Sequence, residues 1–91
     1  MKYVSVRVQG RVQGVGFRYF TQHAAMSHNI TGWVKNEDDG AVSLEAYGED
    51  NNINRFLEEI KKGPTRFAKV SEMDVNKLSG DPEYSSFDVK Y

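Results

Sequence analysis

Between Val8 and Arg18 the chain reads VQGRVQGVGFR. This stretch holds three glycines (Gly10, Gly14 and Gly16) and two arginines, but no Ser, Thr, Cys, His, Asp or Glu. It offers hydrogen-bond donors from amides and guanidinium groups, without a nucleophile or a customary proton acceptor. The chemistry such a set suits is the holding of an anion. Three features favour that over a mere tight connection. The stretch is longer than a turn between a strand and a helix needs. It opens onto a predicted helix N-terminus, where unpaired N–H groups and the helix dipole attract negative charge. Arg18 stands at the start of that helix, where a cation is unfavourable unless an anion accompanies it. Arg11, Val12, Gln13, Gly14, Val15, Gly16, Phe17 and Arg18 are therefore expected to form a cradle for a phosphate or carboxylate group.

The elements that must position this cradle follow from periodicity. Val4, Val6 and Val8 alternate as one buried face of a strand. Phe17, Phe20, Ala24 and Ala25 predict a helix over about 17–28, with Asn29 as a left-handed stop. ITGWVKN reads as a second strand, Asp39-Gly40 as a hairpin turn, and AVSLEAYG as a third strand with Val42, Leu44 and Ala46 on one face. Asp50 is the expected N-cap of a second helix with an apolar stripe of Ile53, Phe56, Leu57 and Ile60, ended by Gly63-Pro64. RFAKVSEMDV predicts a fourth strand with a bulge, SGDPEYSS a loop, and FDVKY a short last strand. The order β-α-β-β-α-β predicts an α+β ferredoxin-like sandwich, an antiparallel sheet with two helices on one face. In that topology the first two strands run parallel with the third between them, so their C-terminal ends share one edge, roughly 10 Å apart. Arg18 and Asn36, at the end of the second strand, can then face one site.

The common phosphate motifs do not fit. No Gly-Lys-Ser/Thr follows the loop, and Tyr19 stands where a dinucleotide fingerprint needs its third glycine. What does fit is a resemblance. GRVQGVGFR (10–18), GWVKN (32–36) and DGAVSLEAYGE (39–49), with the length and element order of nearly the whole chain, resemble the acylphosphatase family. The resemblance implies a small ferredoxin-like enzyme that hydrolyses the carboxyl-phosphate bond of acyl phosphates without a metal or other cofactor. It implies that Arg18 and the loop amides bind the phosphoryl group, with inorganic phosphate as product and inhibitor, and that Asn36 positions the attacking water. Asn29 departs from the glycine many members carry before the second strand, but tolerates the same backbone.

Composition sets the remaining expectations. Ninety-one residues suggest one domain over 1–91, with five Phe, five Tyr and one Trp for its core. Zero cysteines exclude disulfides and thiolate chemistry and fit a cytoplasmic protein. A net charge of −1 gives no strong field for nucleic acid or a membrane, and no apolar run could span one. An RNA-binding reading of VGFRYF places its aromatics on a helix where a strand is needed. His23 and His28 are badly spaced for a shared metal, Trp33 reads as a packing residue, and Gln13 as a residue that shapes the loop. A regulatory anion-binding module has no use for a water-positioning amide. A monomer is expected.

Overall fold

The computed structural model describes residues 1–64 and 66–91. Its elements are β1 (Lys2–Arg11), α1 (Phe17–Ser27), β2 (Thr31–Asn36), β3 (Val42–Gly48), α2 (Asp50–Lys62), β4 (Lys69–Leu78) and β5 (Phe87–Lys90). The five strands form one sheet in the order β4-β1-β3-β2-β5. β3 lies antiparallel to both β1 and β2, so those two run parallel on either side of it, as the ferredoxin-like topology requires. β4 extends the sheet antiparallel to β1, and β5 closes the other edge parallel to β2.

Alternation explains the layers. Val4, Val6 and Val8 of β1, Val34 of β2, and Val42, Leu44 and Ala46 of β3 are buried on one sheet face. They pack against Phe17, Ala24 and Ala25 of α1 and Ile53, Phe56 and Ile60 of α2. The opposite face carries a polar-aromatic network. Tyr3 and Tyr84 donate their hydroxyls to Glu45 Oε1 at 2.5 and 2.6 Å, and Trp33 Nε1 donates to Tyr84 Oη at 3.0 Å. Trp33 is thus a packing residue of this face, with the Lys90 ammonium 4.5 Å from its ring centre.

Several boundaries differ from the sequence reading, most of them by a single residue. The N-cap of α2 is Glu49, whose extended backbone offers its carbonyl to Ile53 N at 2.9 Å. Asp50 is instead the first helical residue, a favourable place for a carboxylate, and it pairs with the Met1 ammonium at 3.5 Å. The fourth strand begins at Lys69 and not at Arg66, and it runs on to Leu78. Its bulge is present: Gln9 opposes Glu72 and Gly10 opposes Val70, which leaves Ser71 without a partner position. Asn29 does adopt the left-handed conformation, with φ 55°.

Candidate active site

β1 ends at Arg11, and the chain curls through Val12 to Gly16 before α1 begins. Gly14 and Gly16 have φ of 75° and 76°, and a methyl added at either would meet open space. Only backbone conformation demands glycine there, because an L side chain pays a steric cost in the left-handed region. Gly16 is the N-cap of α1, and its carbonyl accepts from Phe20 N at 3.1 Å. The preceding N–H groups, of Phe17, Arg18 and Tyr19, have no carbonyl within the helix to bond. The first turn of α1 holds no acidic residue to answer the helix dipole.

Gln13 fixes this curl against the rest of the fold. Its Nε2 donates to Glu37 O at 2.8 Å and Ala41 O at 2.9 Å. Those carbonyls flank the β2–β3 turn, so one side chain ties the loop to the end of the strand that carries Asn36. Val15 packs its side chain on the core. Arg11 is exposed and ends β1 opposite Lys69.

A cavity of about 160 Å³ lies at the N-terminal end of α1, lined by Val12, Gly14, Gly16, Phe17, Arg18, Tyr19 and Asn36. The two residues singled out from sequence, Arg18 and Asn36, therefore line one cavity although they stand eighteen positions apart. Of the expected loop set, Val12, Gly14, Gly16 and Phe17 join them, whereas Arg11, Gln13 and Val15 do not. The lining carries one cation and no carboxylate. Asn36 Oδ1 is buried and accepts no hydrogen bond among the described residues, and an acceptor in that condition costs about 1–3 kcal/mol.

Arg18 is held from its far side. Its Nη1 donates to Lys90 O at 3.2 Å, and its guanidinium carbon lies 4.7 Å from the Tyr91 ring centre. The Tyr91 hydroxyl in turn meets that of Tyr19. That contact pushes the Tyr91 phenol above its ordinary pKa. Sequence reasoning gave no role to Tyr19, Lys90 or Tyr91. The contribution of Lys90 here is a backbone carbonyl, which no residue type announces, while Tyr19 is detectable only as the residue after Arg18 on a helix.

A larger cavity of about 360 Å³ opens beside Arg7, Asp39 and Ser71. Its cation is already answered, since Arg7 bonds Asp39. The Asp39 carboxyl is held below its ordinary pKa by the Ala41 N–H first and by Arg7 second. In the smaller cavity the guanidinium has no acidic partner among the described residues and stands at a helix N-terminus, an arrangement that suits an anion.

The family model for acylphosphatase matches residues 4–89. The chain belongs to the acylphosphatase family. It is 57% identical over 91 residues to the acylphosphatase of Oceanobacillus iheyensis, covering all of both chains. The crystal structure of acylphosphatase from Bacillus subtilis superposes with a TM-score of 0.95 at 41% identity, again over the whole of both chains. The same fold recurs within full-length HypF, with a TM-score of 0.87 and 29% identity over 99% of this chain but 12% of that one. This acylphosphatase is accordingly an enzyme that hydrolyses acyl phosphates to a carboxylate and inorganic phosphate. Among the described residues no helix is long and apolar enough to cross a membrane.

Proposed function

We propose that Arg18 and the amides of the 11–18 loop bind the phosphoryl group and that Asn36 aims the attacking water at phosphorus. Water forms the new P–O bond as the bond to the acyl oxygen breaks, and the carboxylate departs with the bonding pair. A phosphoryl oxygen of the substrate takes the proton from water. The leaving carboxylate has a conjugate acid of pKa about 4 to 5, so it needs no general acid. The transition state is loose, with charge on the equatorial oxygens, and donors fixed in place can supply most of the stabilisation. What supports this reading is the shared cavity: a guanidinium without an acidic partner among the described residues, a helix N-terminus, and the Asn36 amide in the same lining.

Hydrolysis of acetyl phosphate with excess EDTA tests the scheme, which uses no metal or other cofactor. Arg18→Ala should lower kcat/KM on the order of 10²–10³-fold and weaken inhibition by inorganic phosphate. Arg18→Lys should not restore the rate, because a point charge does not reproduce a bidentate fork. Asn36→Ala should lower kcat far more than it changes phosphate inhibition. Undiminished turnover in either alanine variant would remove that residue from the mechanism. We further propose that residues 1–91 act as one monomeric cytoplasmic domain, without nucleic acid or membrane partners; sedimentation over a range of concentrations tests the monomer.

A further inference from the structure

The turn from Glu37 to Ala41 follows Asn36 and leads the chain into β3. Its backbone closes on itself, with Glu37 N donating to Ala41 O at 2.8 Å and Gly40 N to Glu37 O at 3.2 Å. Two side chains from other parts of the fold grip it. Gln13 takes the carbonyls of Glu37 and Ala41, and Arg7 of β1 takes Asp39. The Asp39 carboxylate is a bridge: Oδ1 accepts from Ala41 N at 3.1 Å within the turn, while Oδ2 pairs with Arg7 Nη2. Arg7 is a firm anchor, because its strand is paired on both sides, with Ser43 of β3 and Asp74 of β4 opposite it. Gly40 and Ala41 line the cavity of about 360 Å³ beside this pair, so the turn has open space to move into once the pair is gone.

Resting on the proposed role of Asn36, we infer that Arg7 and Asp39 are positioning residues for the reaction: their ion pair holds the β2–β3 turn, and through it the end of β2, so that the Asn36 amide keeps the orientation that aims water. The lever is short. Asn36 immediately precedes the turn and stands in register with Val42, the residue that immediately follows it. The side chains of Arg7 and Asp39 are 39% and 55% exposed. An ion pair this exposed shifts the population of the held turn by about two- to fivefold, and kcat follows that population.

The experiment measures kcat for acetyl phosphate and the inhibition constant of inorganic phosphate, at a temperature where thermal melts show every variant to be folded. Arg7→Ala and Asp39→Asn should each lower kcat by about two- to fivefold and leave phosphate inhibition within about twofold, since Arg18 and the loop amides are untouched. The double variant should lose no more than either single one, as two members of one pair do. Arg7→Lys keeps the charge and should keep most of the rate. The two single substitutions change the net charge in opposite directions, so a common fall in kcat excludes a long-range field acting on the anionic substrate. Native kcat in both single variants overturns the inference, as does a double-variant loss equal to the product of the single losses. A loss in Arg7→Lys as deep as in Arg7→Ala overturns it as well. So does a fall in kcat matched by weakened phosphate inhibition, since the pair would then act on the cradle. If Asn36→Ala turns over at full rate, the underlying role of Asn36 fails, and that failure is read on a different variant.

Discussion

Arg18 carries positive charge at the end of a helix that disfavours it, and a single backbone carbonyl and one ring face hold it there. It keeps further N–H donors for an incoming anion, because a guanidinium has five. Arg7, eleven residues earlier, shows the contrasting case of an arginine whose charge is spent within the fold. Asp39 accepts from Ala41 N at 3.1 Å and pairs with Arg7, so its carboxyl titrates below the usual value. Arg7→Ala should raise that pKa only part of the way, since the amide, the larger cause, remains; a carboxyl-detected NMR titration reads it directly. The stabilising contribution of Asp39 is present above the ordinary carboxyl pKa and is lost as pH falls through the depressed folded value. Arg18 and Asn36 were legible in the sequence as candidates because their types and motifs are distinctive. The partners of Arg18 were not, because no residue pattern marks a carbonyl that arrives from 72 positions away.

At the scale of elements, the loop between β1 and α1 is shaped by two constraints. Gly16 gives the backbone its left-handed entry into the helix, and Gln13 fastens the curl to the β2–β3 turn. Gly16→Ala should destabilise the fold by roughly 1–2 kcal/mol through conformation alone, since the added methyl meets nothing. Gln13→Ala forfeits two part-buried hydrogen bonds and should lower the urea-derived stability by about 1–3 kcal/mol. It should also reduce kcat, because Glu37, which it holds, adjoins Asn36. Strands and helices with a buried face were readable from spacing: Val4, Val6 and Val8, or Ile53, Phe56 and Ile60, announce themselves. β4 was less so. It is an edge strand held to β1 by backbone pairing from Tyr3–Leu78 to Arg11–Lys69, and most of its residues are exposed, so apolar alternation could not mark its ends. Before it, Ala68 is buried and Phe67 is 61% exposed, the reverse of what hydrophobicity suggests, which is why a strand starting at Arg66 looked reasonable.

For the whole molecule, the helix-free sheet face joins strands that are distant in sequence. Glu45 of β3 accepts from Tyr3 of β1 and from Tyr84 before β5. The hydrogen bond to Glu45, ahead of that to Tyr84 and of burial, pushes the Tyr3 phenol well above its ordinary pKa. Folding thus holds that proton more tightly than the open chain does. Its contribution is complete below the ordinary phenol pKa of about 10 and is lost as pH rises from there through the raised folded value. Tyr3→Phe should therefore be less stable at neutral pH and lose less on going to pH of about 11, as thermal melts across that range would record. A different consequence attaches to the Lys90 carbonyl that bonds Arg18. Every amino acid brings the same carbonyl, so a saturation scan at position 90 would replace the lysine with all nineteen other residues and leave that bond's chemistry untouched. A gripping point built from main chain is free to drift in sequence, and a catalogue of intolerant positions would pass over it.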